Sequence, residues 1–403
     1  MNLFKFYIIN MLNRTKRVLK ILLFLNLIFR CTSQSNEINS NFLFSNRLVL
    51  GDLKLKTASL DLGDIDGDGD TDIVVANGRH WPAQNQVFFN NGKGIFTVSK
   101  NLGTLSSTSY STELGDFDND GDLDVAVGND RAPNNIFEND GKGNFKFKGN
   151  FGSMNSPTRN IVLSDIDQDN DLDILITNRG YVNEICLNDG NGYFNQVLFF
   201  GSKSDSTIDV EAIDIDFDGD IDLVLANRDS QQNFIYLNDG KLNFNKKIAF
   251  GSESENTRAI EVADINNDNF YDIICANINA PNKIFYGDKS LNYNISENFD
   301  KENDSSYSVD VGDFDNDGDL DVVVGNSKSP NSVFFNLGKL GWKKELIKNE
   351  NFNTYDIKAF DIDGDSFLDI VESNSDDLNY YYINKKNKLD EKINFIFLGR
   401  ISL

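Results

Sequence analysis

One histidine, two tryptophans, three methionines, three cysteines and five prolines are all that these types contribute to 403 residues. A single imidazole, His80, excludes a cluster of histidine metal ligands. A nucleophile–His–Asp triad would have to be built on that one ring, and no nucleophile motif accompanies it. Cys186 and Cys275 stand within apolar runs of different repeats and read as small buried hydrophobes rather than a disulfide. Positive charge is scarce as well: the formal net charge is −25 and no basic stretch follows residue 20, which excludes nucleic-acid partners held by phosphate neutralisation. Long amphipathic helices are missing too, while thirty-two Phe and thirteen Tyr favour strands.

The first thirty residues differ from the rest. Arg14, Lys16, Arg17 and Lys20 precede an apolar run from Ile21 to Phe29, too short to span a bilayer and of the form of a secretory signal. The expectation is export to the extracellular space or cell envelope, with residues 1–33 as signal and 34–40 as a polar tether. Cys31 stands where a lipoprotein signal places its lipidated cysteine, although Phe29 and Arg30 replace the small residues usual before it. Lipid anchoring through Cys31 and cleavage with release both stay open.

What the chain has in abundance is aspartate in one arrangement. DIDGDGDTD begins at Asp64, and variants begin at Asp116, Asp165, Asp214, Asp264, Asp313 and Asp361, spaced by 48–52 residues. Oxygen donors at alternating positions of a tight loop can converge on one hard cation, as in an EF-hand loop shortened to nine residues. In the first loop Asp64, Asp66, Asp68 and Asp72 would supply side chains, Asp70 a backbone carbonyl and Gly69 the bend. The same positions are Asp116, Asp118, Asp120, Asp122 and Asp124 in the second loop, and Asp165, Asp167, Asp169, Asp171 and Asp173 in the third. Asp214, Asp216, Asp218, Asp220 and Asp222 follow in the fourth, then Asp264, Asn266, Asp268, Phe270 and Asp272 in the fifth. The sixth has Asp313, Asp315, Asp317, Asp319 and Asp321, and the seventh Asp361, Asp363, Asp365, Phe367 and Asp369. Phe at position seven of two loops agrees with a backbone role there. Asn266 lowers the charge of its loop, and Asn170, Asn269 and Ser366 replace the bend glycine, so loops one, two, four and six should bind best. These positions hold 32 of the chain's 63 acids, and seven calcium ions would bring the charge from −25 to −11, which makes the aspartates a folding device.

Other signals recur with the loops. A hydroxyl stands seven residues before each (Thr57, Ser109, Thr158, Thr207, Thr257, Ser306, Thr354), and an apolar run after each ends in Asn (Asn77, Asn129, Asn178, Asn227, Asn277, Asn326, Asn374). An aromatic-rich run and a turn such as NDGKGNF complete the unit. Each unit reads as four short strands, A to D, with the acidic loop between A and B, and such units repeated at this length describe a β-propeller. Over about residues 41–399 the chain resembles the FG-GAP and VCBS repeat family, calcium-loop propellers also found in integrin α-subunit heads and some fungal lectins. The resemblance implies an all-β, seven-bladed extracellular module stabilised by up to seven calcium ions, without implying one ligand. Residues 44–50 repeat the strand D pattern and are expected to complete the last blade; the rival is KINFIFLG near the carboxy terminus.

In such a meander the acidic loops and NDG turns share one face, and the variable connections occupy the other. That second face is expected to carry Arg79, His80 and Trp81, Tyr110, Arg131, Arg159, Arg179, Arg228, Arg258, Tyr307 and Tyr355, residue types that anchor interfaces and stack on sugars. The leading expectation is a surface binding or adhesion module for a glycan or protein. The alternative is a scaffold subunit of an envelope complex without a small ligand. A hydrolase or lyase comes third, because no carboxylate pair stands out from the repeated background and loop-closed sites suit structural calcium. Oligomeric state has no signature here.

Overall fold

The computed structural model describes residues 47–252 and 254–384. The signal-like segment, Cys31, the tether, residues 44–46 and KINFIFLG lie outside the described residues.

Six of the seven acidic loops run into a six-residue strand, DIVVAN in the first case, that is buried along its whole length. A run apolar on both faces can be stable only where sheets pack on both sides of it. That requirement sets the architecture. Five sheets have four antiparallel strands in meander order, beginning with Ser109–Gly115, Thr158–Ser164, Thr207–Ile213, Thr257–Ala263 and Ser306–Gly312. The sixth has six strands in the order Thr354–Phe360, Asp369–Tyr382, Leu48–Gly63, Asp72–Asn77, Gln86–Phe89 and Val98–Asn101. The protein is thus an all-β propeller of six blades, and the expectation of seven four-stranded blades is corrected. The cause is two long strands. Asp369–Tyr382 pairs with Thr354–Phe360 through its first half and with Leu48–Gly63 through its second, where Leu48 faces Tyr381 and Leu50 faces Asn379. The last sequence unit therefore merges with the first, and one sheet carries two acidic loops.

The core lies between neighbouring sheets. Phe117, Ile136 and Phe151 of one sheet, for example, interdigitate with Ile161, Ile174 and Phe194 of the next. The second residue of every acidic loop (Ile65, Phe117, Ile166, Ile215, Ile265, Phe314, Ile362) is at most 3% exposed and plugs its loop into this layer. Burying such a side chain contributes about 1.5–3 kcal/mol each. Cys186 and Cys275 are buried and unpaired.

The repeated hydroxyls and asparagines form a hydrogen-bonded belt. Thr57 Oγ1 donates to Asn77 Oδ1, the Asn77 N–H donates to Asn85 Oδ1, and Asn85 Nδ2 donates to Ser109 Oγ of the next unit. Ser109 repeats the pattern with Asn129. The links recur through Asn183 to Thr207, Asn233 to Thr257, Asn282 to Ser306 and Asn331 to Thr354. Asn379 Nδ2 then reaches Thr57, 322 residues away in sequence, and closes the circuit. Two atoms fall out of step: Asn134 Nδ2 and Asn227 Oδ1 are buried without partners.

Asn379 both accepts the Asn374 N–H and donates to Thr57. Its replacement by Ala should cost about 2–4 kcal/mol in urea unfolding, since two buried partners are stranded. Asn243→Ala, which loses exposed bonds to Asp239, should cost less than about 1 kcal/mol.

Candidate functional site

The acidic loops are built alike. The first carboxylate wraps the turn: Asp64 Oδ1 accepts the Gly67 and Asp68 N–H groups and Oδ2 accepts that of Gly69. The fifth accepts the N–H of the seventh, as Asp68 does from Asp70 and Asp268 from Phe270. The ninth is a strut. Asp72 Oδ2 takes the Ile65 N–H and Oδ1 takes that of Asn90 in the C–D turn, while Asn90 Nδ2 donates to the Ile362 carbonyl in the acidic loop of the neighbouring unit. The full strut recurs through Asp173 and Asn188 to Phe117, while Asp124 and Asn139 reach Ile65 with Asp124 Oδ2 left without a partner.

Asp64, Asp66 and Asp72 bring ligand oxygens within 4.8 Å of one another, as do Asp116, Asp118 and Asp120, Asp165, Asp167 and Asp173, Asp214, Asp216 and Asp218, and Asp313, Asp315 and Asp321. Asp66, Asp118, Asp165 and Asp315 each keep an Oδ1 buried with no hydrogen-bond partner. Stranded carboxylate oxygens converging in oxygen-only loops fit a hard divalent cation. Position-seven carboxylates turn away: Asp70, Asp122, Asp171 and Asp220 lie against Gly92, Gly141, Gly190 and Gly240 of the C–D turns. Loop two holds a competitor, because Lys148 Nζ lies 2.7 Å from Asp118 Oδ2.

The opposite end opens into a central cavity of about 450 Å³ lined by Tyr110, Arg159, Arg258, Tyr307 and Tyr355, each one residue after a belt hydroxyl. Arg79 stacks on Tyr355 at 3.9 Å, Arg159 on Tyr110 at 4.4 Å, and Tyr307 meets Tyr355 edge-on at 4.8 Å. His80 Nδ1 and the Tyr110 hydroxyl are hydrogen-bonded at 2.9 Å. Burial, with Arg79 and Arg159 alongside, lowers the His80 pKa and favours the neutral ring. Arg179 pairs with Asp229, whereas Trp81, Tyr181 and Arg131 are exposed. The structure thus gathers Arg79, His80, Tyr110, Arg159, Arg258, Tyr307 and Tyr355 at one mouth and leaves Trp81 and Arg131 apart. Two smaller cavities, about 400 and 390 Å³, open beside loop residues Asp167 and Asn266 on the acidic-loop face.

The family description FG-GAP-like repeat matches residues 64–127, 116–176, 165–225, 214–275, 264–324 and 313–372. The chain belongs to the FG-GAP-like repeat family. Among curated proteins none matches it significantly in sequence. A crystal structure of BBS1N in complex with ARL6DN, soaked with lead, is similar with a TM-score of 0.59 and 10% identity, over 85% of this chain and 98% of that one. A structure concerning specific recognition of non-reducing terminal N-acetylglucosamine by an Agrocybe aegerita lectin has a TM-score of 0.54 and 18% identity, over 80% and 87%. At these identities the likeness is one of fold.

Sequence reasoning missed what lies below the mouth of this FG-GAP-like propeller. Four residues after the belt hydroxyls stand Asp61, Glu113, Glu211, Glu261, Asp310 and Lys358, and comparing the units at that offset would have found them. The aspartates stitch first strands together: Asp61 accepts the Leu114 N–H, Asp310 that of Ala359, and Asp356 that of Leu60. Burial raises Glu211 to about 8, with Asp209 adding repulsion and Lys358 opposing it; Glu113 and Glu261 rise for like reasons. Burial alone would lower Lys358, but Asp310, Asp356, Glu261 and Glu113 together hold it well above its ordinary value.

A raised carboxyl binds its proton more tightly folded than unfolded. Its stabilisation is complete below about pH 4.5 and is lost as pH rises through about 8. At constant saturating calcium, Glu211→Gln should match wild type in thermal midpoint near pH 5 and exceed it by several degrees near pH 9.

Proposed function

We propose that this protein is an exported, calcium-loaded binding module whose ligand, a glycan or a protein, docks at the arginine–tyrosine mouth of the central cavity. The observation that carries this reading is the mouth itself. Seven side chains from several blades converge there. The two structural neighbours are consistent with it, one title describing a protein complex and the other sugar recognition. The basic and apolar start of the chain supports export to the envelope or beyond. In the loops, the residues at positions one, three, five and nine would hold calcium, which supplies the positive charge that aspartate-rich turns lack. The mouth is built of arginine and tyrosine, residue types that anchor interfaces, which favours binding over catalysis.

Two experiments test the proposal. Glycan-array binding and affinity capture from envelope extracts should retain a partner with wild type and lose it on joint replacement of Arg79 and Tyr355 by Ala, with the melting curve in calcium intact. Capture that survives this change but fails when the C–D turns are altered would place the ligand on the acidic-loop face.

Excess chelator should lower the thermal midpoint, each site filled at a hundredfold excess over its dissociation constant contributing about 2.7 kcal/mol. Asp66→Ala, which removes a charged donor, should weaken the calcium response more than Asn266→Ala. An unchanged midpoint in chelator would refute the structural role of the ion.

A further inference from the structure

The arginines at and around the mouth are not equivalent. Arg159 is paired with Asp130 at 2.9 Å, Arg79 is hydrogen-bonded to Ser375 and stacked on Tyr355, and Arg179 is held bidentately by Asp229 at 2.8 and 2.9 Å. Arg228 and Arg258 have no such partner. Arg228 follows the buried strand Asp222–Asn227, and its Nε is buried without a hydrogen bond. The nearest acid, Asp229, is already committed to Arg179. Arg258 makes no hydrogen bond or ion pair among the described residues and lies 5.7 Å from the Tyr307 ring centroid while lining the cavity. Arg228 follows Asn227 and Arg258 follows Thr257 as Asp130 follows Asn129 and Arg159 follows Thr158, a pair that meets at 2.9 Å, so the two guanidinium groups face each other, and Arg258 and Arg179 add to burial in disfavouring the charge on Arg228.

Two adjacent guanidinium groups with a buried, unbonded N–H are costly in isolation and become favourable when an oxyanion accepts from both. The cost is the more notable in a chain of net charge −25, where an acidic partner could have been supplied by a single substitution. Arg258 has Asp209 in its field, but both Asp209 oxygens are occupied, Oδ2 by the Ile260 N–H and Oδ1 by Asn160 and the Val210 N–H. Three residues beyond Arg258 on the same strand stands Glu261, about 10 Å further along the strand. The one lysine of that deeper layer, Lys358, is already surrounded by Asp310, Asp356, Glu261 and Glu113, so the free positive charge lies at the mouth.

We propose that Arg228 and Arg258, beside the Tyr307 ring, form a subsite for one oxyanion, the carboxylate or sulfate of a ligand whose uncharged part lies over the tyrosines of the mouth. The subsite rests on the reading of the mouth as the binding face and specifies the chemistry of the ligand. Its test uses the full-length, calcium-loaded protein with sodium sulfate, sodium glucuronate, glucose and, at matched ionic strength, sodium chloride. Sulfate or glucuronate should bind saturably and raise the thermal midpoint, while glucose and chloride should not. Tighter binding of glucuronate marks a carboxylated sugar as the source, and tighter binding of sulfate a sulfated one. Arg228→Gln and Arg258→Gln should each weaken anion binding at least about tenfold, the loss expected for a charge-assisted hydrogen bond. In anion-free buffer Arg228→Gln should melt at or above wild type, because it removes a desolvated charge; a purely structural arginine would give the opposite sign. Absence of saturable anion binding over chloride, or affinity unchanged in Arg258→Gln, overturns the subsite. If an array ligand is lost on joint replacement of Arg79 and Tyr355 yet is indifferent to both Gln variants, the binding face stands and the oxyanion subsite falls.

Discussion

The belt of side-chain hydrogen bonds from Thr57 round to Asn379 is the constraint on which the remaining structure depends. A propeller blade is a sheet with two open faces, and apolar packing between blades is tolerant of sliding. Hydroxyl-to-asparagine bonds are not, since each buried donor has one acceptor and a shift of one residue strands both. They therefore fix the height at which each blade meets the next. With that height fixed, the residue after six of the seven hydroxyls faces the mouth, Ile208 packing into the core instead, and the residue four beyond the hydroxyl faces the waist. The mouth and the acidic channel are thus successive layers of the same strands.

A second circuit lies at the other end, and it couples metal chemistry to blade contact. In four of the seven units, those of Asp72, Asp173, Asp321 and Asp369, the ninth-position aspartate accepts from its own loop and from an asparagine whose amide reaches the neighbouring unit's loop, as in Asp72, Asn90 and Ile362. A cation that draws the loop carboxylates together would therefore tighten the contact between units. Burial raises Asp72 to about 6 and Asp124 to about 7, so without positive charge these struts compete with protons near neutrality.

The acidic loops were legible because their chemistry is local: oxygen donors at alternating positions leave a mark in nine consecutive residues. The left-handed bend at position six was legible for the same reason, with Asn170, Asn269 and Ser366 all at positive φ. A second left-handed residue at position four was not, because Gly67, Asn119, Gln168, Phe217, Asn267, Asn316 and Gly364 share a backbone conformation without sharing a residue type. Phe217 endures it by stacking on Tyr271, centroids 5.4 Å apart. The recurring hydroxyls and asparagines were visible as a pattern, but their bonds cross between units and no spacing along the chain announces them. Blade count failed for a related reason. Seven loops repeat in sequence, yet sheets are defined by pairing, and the pairing of Asp369–Tyr382 with Leu48–Gly63 joins two units into one sheet.

That shared sheet has a kinetic consequence. Leu48–Leu50 find their partners at Asn379–Tyr381, so a chain emerging amino-terminus first holds an unpaired edge until almost all of it is present. Local units can form their meanders early, because their contacts are short in sequence, but ring closure carries the loop-closure entropy of the whole chain. Until then the molecule is an open arc with two sticky ends, each able to capture the complementary end of a second copy. The joint that makes the finished ring edgeless is thus also the step at which its assembly is slowest and most exposed to partners of its own kind.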